Sequence, residues 1–454
     1  MGAAMASGSR LRIGVVGTGV AGLSAAWLLS RRHDVVVYEK ADRIGGHSNT
    51  VLARVDGSQI PVDVGFIVYN PKTYPNFVEL LNALGVKTQP SDMSFAVSLD
   101  HARIEYAGAS LISLFGQPSN IVSPRFWGML ADLARFYSRA PRDARRIHEE
   151  HLSLGEYLAA GGYGEAFRDH HILPMASAIW SATPAEIMAF PAAAFIRFHD
   201  NHGLLRLTGR PIWRTVSGGA TEYVGRMGLS LAGAIRYGTG AVRIERDCSG
   251  ATVIDCRGGR DRFDHVVLAC HADEALALVG QPSEEERALL GAFRYSRNLA
   301  ILHTDESLMP RRRAVWASWN YIGGEARAPE RVCVTYWMNK LQSLPTKTNV
   351  FVTLNPSRPP REESVLETIA YDHPLFDARA IAAQKALWRL QGVRNVWYCG
   401  AHFGSGFHED ALQAGLAVAE ELGGVKRPWT VAGESSRIWV TPRAAPAAAL
   451  ERAA

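Results

Sequence analysis

Residues 12–48, RIGVVGTGVAGLSAAWLLSRRHDVVVYEKADRIGGHS, constrain the fold of this chain more than any other stretch. The apolar run Ile13–Val16 reads as a short buried strand that ends at a glycine. Gly17, Gly19 and Gly22 then match G-x-G-x-x-G. Gly17 permits the tight turn, Gly19 lets a pyrophosphate approach the backbone, and Gly22 lets the next helix pack on the strand. That helix begins around Val20 and Ala21, and its first amides face the anion. The second strand, DVVVYE, ends at Glu39. A carboxylate there accepts hydrogen bonds from ribose hydroxyls and repels a 2′-phosphate. A lone glycine fingerprint is weak, but strand, fingerprint, helix, strand and acid at this spacing specify a dinucleotide-binding unit.

The residues after Glu39 distinguish between dinucleotides. EKADRIGGHSNT places Lys40, Arg43, Gly45, Gly46 and His47 just beyond the acid. This resembles the R-x-G-G extension of flavoproteins in the amine oxidase and carotenoid desaturase superfamily. The resemblance implies FAD, with a second glycine turn against its diphosphate and Arg43 adding a cation. It also implies that VDVGFIVYN (62–70), which contains Gly65, runs toward the flavin ring, and that backbone groups near Val242 meet the adenine. VWYCGAHFGSGFHEDALQAGLAVAEEL (396–422) resembles the superfamily's closing motif. There Gly400 lies beside the flavin, and a helix starting at His408, Asp410 and Ala411 points its positive end at the C2 carbonyl and N1. Reduced flavin is negatively charged at that edge. His408 is the candidate electrostatic partner of N1 or proton donor.

Within the superfamily, FHDNHGLL (198–205), RPIWRTVSGGATEYV (210–224), VTYWMNKLQSL (334–344), VTLNP (352–356) and GAHFGSGFHEDAL (400–412) resemble bacterial predicted NAD/FAD-binding proteins linked with modification of fatty-acyl lipids. The implied fold class is α/β: a Rossmann-like FAD-binding domain of discontinuous segments plus an α+β substrate domain. The expected FAD-binding segments are 11–89, 206–292 and 393–430. The substrate domain takes 90–205 and 293–392, between a disordered 1–10 and a tail at 431–454. Two departures stand out. Many relatives read G-G-R where this chain has His47, and the lysine that holds a water near flavin N5 in amine oxidases has only Lys340, in an expected late strand, as a counterpart. Trp397 and Tyr398 read as strand core in preference to an aromatic cage. No second G-x-G-x-x-G unit appears, which disfavours internal reduction by NADPH.

On the substrate side, Ser123-Pro124 reads as a helix start, with Phe126, Met129, Leu130, Leu133, Phe136 and Tyr137 on one face. Strand-like runs NLAILHT, AVWASWNYI, VCVTYW and NVFVTLN follow in the second insertion. Tyr336 and Trp337, with Trp316, Trp319, Tyr321 and Met338, are candidates to line an apolar cavity. Tyr336, Trp337 and His408 are the candidate catalytic residues. Asn320 and Asn339 interrupt apolar strands and are expected to meet something. No histidine pair has metal-ligand spacing, so no metal is expected. G-x-S-x-G and P-loop motifs are missing from the sequence.

Composition excludes little else. A net charge of +5 over 454 residues does not point to nucleic acid. Arg135, Arg139, Arg142, Arg145 and Arg146 read first as a solvated helix face, and second as a contact with an anionic lipid surface. Five cysteines without a CxxC fit a reducing compartment. The expected location is therefore cytoplasmic, soluble or peripheral at the inner membrane face. The expected function is an FAD-dependent oxidoreductase taking a hydride from a hydrophobic, fatty-acyl or other lipid substrate. A peroxide-forming amine oxidase, a flavin-dependent isomerase and a non-catalytic FAD-binding protein remain as alternatives. The electron acceptor is not specified.

Overall fold

The computed structural model describes residues 10–144, 152–206, 209–324 and 332–441. Expectations for the N-terminal segment to residue 9, for Arg145 and Arg146, and for the tail beyond Thr441 lie outside the described residues. The chain divides into two compact units.

The first unit comprises 1–46, 224–293 and 381–454. It is built on a parallel sheet whose central strand β1 (Arg12–Val16) lies between β2 (Asp34–Tyr38) and the strand His265–Leu268. Val396–Tyr398 extends one edge and Ile235–Arg236 the other. Helix α1 (Val20–Leu29) is apolar all round because it is buried along its whole length. Among the described residues no helix is long and apolar enough to cross a membrane. The expected β-meander is present as an antiparallel sheet of Ala241–Asp247, Gly250–Asp255 and Arg260–Phe263.

The closing helix His408–Gly423 packs on α1 through Gly415, where a side chain would overlap the Ala21 carbonyl and lie 2.5 Å from Ser24 Oγ. Gly415→Ala is therefore expected to cost about 2 kcal/mol by forcing two buried helices apart, read as a lower urea midpoint at unchanged m-value.

The second unit comprises 47–223 and 294–380. Its seven-stranded sheet runs in the order Val365–Leu375, Arg294–His303, Phe351–Leu354, Cys333–Trp337, Trp319–Ile322, Phe95–Leu99, Ile104–Ala107. Every neighbouring pair is antiparallel except Trp319–Ile322 with Phe95–Leu99. Helices Pro124–Asp143, Leu173–Trp180 and Ala192–Asn201 belong to the same unit. The first is capped by Ser123, whose hydroxyl accepts from Phe126 N–H, as its sequence predicts.

The compact units differ from the expected boundaries, since 47–89 and 206–223 fall in the second and 293 and 381–392 in the first. Asp63, at the end of the hairpin strand Ser58–Asp63, explains part of this. Its carboxylate accepts from Thr50 Oγ1 (2.6 Å), Ala220 N–H (2.9 Å) and Gln342 Nε2 (2.9 Å). Burial pushes this carboxyl up to about 7, against the pull of those donors. Asp63→Ala strands an amide and a carboxamide, so a loss of about 3 kcal/mol is expected in denaturant unfolding.

Candidate functional site

The nucleotide cradle of the first unit is assembled from two glycine turns. Gly17 has φ of +100°, and a side chain there would lie 2.8 Å from the Ala269 carbonyl. A side chain at Gly22 would overlap the Gly17 carbonyl and approach the Ala269 Cβ to 3.0 Å. Gly19 is different. It is the N-cap of α1, and nothing lies within 4 Å of where its Cβ would be. That open space sits at the positive end of a buried helix, before Val20 and Ala21.

The second glycine turn lies against the first. Gly45 N–H donates to the Thr18 carbonyl (3.0 Å), and a Cβ on Gly46, at φ of +57°, would come within 3.1 Å of the Gly19 Cα. Arg43 Nη1 donates to the Gly46 carbonyl (3.0 Å), which bends its guanidinium over this turn.

Glu39 is buried at the tip of β2. It accepts from the Thr18 amide (3.1 Å), the Thr18 hydroxyl and the Ala41 amide (2.8 Å). Thr18 was not singled out in the sequence, and a hydroxyl inside the fingerprint facing the expected acid was the available signal. Lys40 directs its ammonium to Glu274 (2.7 Å), so any cofactor contact at this position falls to its backbone. Val242 lies at the irregularity of Ala241–Asp247 with its side chain exposed, leaving its backbone to act.

Gly400 precedes the short turn Ala401–Phe403, and a side chain there would meet the His402 ring at 2.8 Å; the closing helix itself starts at His408. His408 is buried, and burial pushes its imidazole down to about 3. It is neutral at pH 7, so its candidate role changes from a cation beside N1 to an uncharged hydrogen-bonding group. Asp410 is committed locally: it accepts from Phe407 N–H (2.8 Å) and pairs with Arg437 (2.6 Å). Burial raises its pKa and the Arg437 guanidinium opposes the rise. The Ala411 amide donates to the Phe407 carbonyl (3.1 Å), within the helix ladder. Arg437 was missed because it lies in the expected tail. A buried acid in a helix's first turn, in need of a cation, was its only sequence signal.

The second unit holds the remaining candidates. The His47 ring lies tilted against Tyr371 (4.8 Å) and His373 (5.6 Å). Those two share a strand face at period two in Val365–Leu375, a signal available in TIAYDHPL. A side chain at Gly65 would overlap the His47 carbonyl, which accepts from Phe66 N–H (2.8 Å).

Tyr336 and Trp337 meet different neighbours. Consecutive strand residues face opposite sides of a sheet. Tyr336 meets Trp319 edge to face (4.8 Å), whereas Trp337 meets Trp316 (5.5 Å) and donates to Asn349 (3.0 Å). Asn320 and Asn339 are structural: Asn320 bridges Ala317 and the Thr335 carbonyl, and Asn339 bridges Thr348 and Val350. Lys340 lies on the short helix Met338–Gln342, not on a strand, beside Asp92 (3.5 Å) and Ser94 (3.3 Å). In the first unit, Trp397 and Tyr398 are buried strand core, as expected, with Tyr398 donating to Glu286 (2.6 Å).

An aromatic group surrounds the end of helix Leu173–Trp180. The Trp180 ring lies 5.2 Å from Phe190, 4.7 Å from Phe198 and 5.5 Å from His199. His199 Nδ1 faces the Phe195 carbonyl (2.8 Å), an acceptor, so Nδ1 carries the proton and Nε2 keeps a lone pair. Burial pushes His199 down to about 4. Its Nε2 and the Trp180 Nε1–H are both buried without a partner. Both are thus orphaned polar atoms in a largely aromatic surrounding.

A family model described as "Flavin containing amine oxidoreductase" matches residues 20–340. AofH of Mycobacterium tuberculosis, which carries the name of a flavin-containing monoamine oxidase, is 30% identical over 251 residues, 54% of this chain and 53% of that protein. The chain thus spans about half the length of the curated relatives it matches. Putrescine oxidase bound to putrescine superposes with a TM-score of 0.67 at 15% identity, covering 91% of this chain and 99% of that one. A CLA-producing fatty acid isomerase from P. acnes gives 0.64 at 16%, covering 91% and 97%. At those identities the likeness shows the fold: the two-domain architecture of flavin amine oxidases.

Proposed function

The chain belongs to the flavin-containing amine oxidoreductase family, whose cofactor is FAD, and from that premise we propose that it oxidises a hydrophobic, fatty-acyl or other lipid-like substrate. FAD supplies a hydride acceptor at N5 of its ring. The residues present fit this cofactor: the space at Gly19, the second turn stacked on it, and Glu39 at the strand tip. Gly45, Gly46 and Arg43 would hold the diphosphate edge, and Glu39 would orient the ribose. The first turn of His408–Gly423 offers its positive end to developing negative charge, and His408 adds a neutral imidazole.

One observation carries the hydrophobic reading. The interior around Trp180, Phe190, Phe195 and Phe198 is aromatic, and His199 within it is held uncharged. Such an interior suits an acyl chain; an ammonium group would meet aromatic faces there but no counter-charge from the neutral His199.

The test is anaerobic mixing of the yellow protein with fatty-acyl lipids, amines and carotenoids. Bleaching by the lipids alone is the expected result. Bleaching by amines, with peroxide formed in air, would replace this reading with amine oxidation. A moved double bond without net bleaching would replace it with isomerisation.

His408→Ala is expected to retain FAD and slow flavin reduction at least tenfold in stopped flow, in the range of a lost proton-transfer or polar contact. Because His408 is uncharged, no rate loss from its titration is expected between about pH 6 and 8. Unchanged reduction kinetics in the variant would remove it from the site.

A further inference from the structure

Residues 108–127 invert the usual order of a protein surface. Leu111 is 75% exposed, Ile112 79%, Ile121 53%, Val122 81% and Trp127 50%. The polar residues between them turn inward. Gln117 donates to the Arg103 carbonyl and accepts from Glu105 N–H, Asn120 donates to the Glu105 carbonyl, and Ser113 donates to the Ala107 carbonyl. The apolar side chains are thus held outward by a satisfied polar scaffold and are not frayed. Trp127 Nε1 donates to the Ile121 carbonyl (2.8 Å), and its ring lies 5.7 Å from Phe115, which fixes the indole on this face. Contiguous exposed apolar surface of this kind marks an interaction site.

Charge identifies the partner. No Asp or Glu occurs between Glu105 and Asp132. Both bounding acids are already paired, Glu105 with Arg312 (2.8 Å) and Asp132 with Arg135 (2.8 Å). The exposed charges here are Arg125 within the segment, then Arg139 and Arg142 further along the same helix. Exposed Leu, Ile, Val and Trp on a segment whose own exposed charge is arginine match the boundary between acyl chains and anionic headgroups. A second copy of the chain fits less well, because a two-fold interface would oppose the same arginines with no acid between them.

We infer that this surface docks the protein on an anionic lipid bilayer, with Ile112, Val122 and Trp127 entering the headgroup–acyl boundary. The inference stands on the surface alone and does not rest on the substrate reading.

The test is co-sedimentation of the FAD-bound protein with vesicles of phosphatidylcholine containing one-quarter phosphatidylglycerol. The wild type is expected to bind, and to bind pure phosphatidylcholine at least tenfold more weakly. Ile112→Asp combined with Val122→Asp is expected to lower partitioning about a hundredfold, at unchanged flavin absorbance and melting temperature, because two apolar anchors become charges. A triple Arg125→Gln, Arg139→Gln, Arg142→Gln variant is expected to lose tenfold or more, and only on the anionic vesicles. Failure of the wild type to bind, or equal binding by the double-Asp variant, would overturn the inference. So would a wild-type dimer that the double-Asp variant dissociates in the absence of vesicle binding, which would assign the face to a second copy. No turnover is measured, so this result and the substrate test fail independently.

Discussion

Gly19→Asp yields a folded, colourless protein. The position tolerates a side chain sterically, since no heavy atom lies within 4 Å of the added Cβ, and its φ of −60° is open to any residue. Aspartate is also a favoured N-cap, so the apoprotein should be as stable as the wild-type apoprotein or gain a few tenths of a kcal/mol. What the substitution removes is the space and positive potential that the FAD diphosphate requires, and it replaces them with a negative charge. FAD retention after purification and in reconstitution is the readout, with circular dichroism confirming the fold. A yellow variant with a normal flavin spectrum would refute the assignment of this turn. Gly22→Ala provides the contrast: its Cβ overlaps the Gly17 carbonyl, so cofactor and fold are lost together.

Acid should destabilise the protein steeply between pH 6.5 and about 4. Burial pushes His171, His402 and His408 down to about 3, and His199 and His303 down to about 4. In the unfolded chain each titrates near 6.5, so below that pH the unfolded state takes up protons that the native state refuses. Stability is complete above the unfolded value and falls as pH drops toward the folded one. At pH 5 each such histidine removes about 2 kcal/mol. Asp63 works the other way: raised to about 7, it costs stability as pH climbs from the ordinary carboxylate value and returns it on acidification. One carboxyl does not balance five imidazoles, so net loss is expected. Urea midpoints measured from pH 8 to pH 5 provide the check, and a flat profile would mean that these imidazoles are not held neutral. His303 Nδ1 accepts from Asp305 N–H (3.1 Å), which requires that nitrogen to be unprotonated, whereas His199 is held neutral by burial against the pull of the Phe195 carbonyl.

The nucleotide cradle was legible because its rules are local. Gly17, Gly22 and Glu39 are dictated by a turn, a helix packing distance and a strand end, all within a few tens of residues. The strands around Asn298, Trp319, Val334 and Val352 were legible for a related reason, since central strands buried on both faces are apolar runs. The edge strand Val365–Leu375 was missed because it buries only Tyr371, so its residues carry little hydrophobic pattern. Phe95–Leu99 is short and pairs with Trp319–Ile322, which lies far along the chain. The division between units was misjudged at Asp63, whose partners Ala220 and Gln342 no local pattern reveals. That Tyr336 and Trp337 meet different neighbours follows from strand alternation, whereas the Arg437 that pairs with Asp410 sits beyond the last obvious helix, where no local pattern reveals it.

The contact of Gly415 with α1 joins the first helix of the chain to the last. The central strand likewise waits for neighbours at His265–Leu268, and these in turn for Val396–Tyr398. The segments from Arg12 to Gly423 must therefore all be synthesised before the cradle is complete, and the earlier strands spend that interval without their permanent neighbours. A chain that retains its colour has therefore brought together segments about four hundred residues apart, from Arg12–Val16 to Gly415.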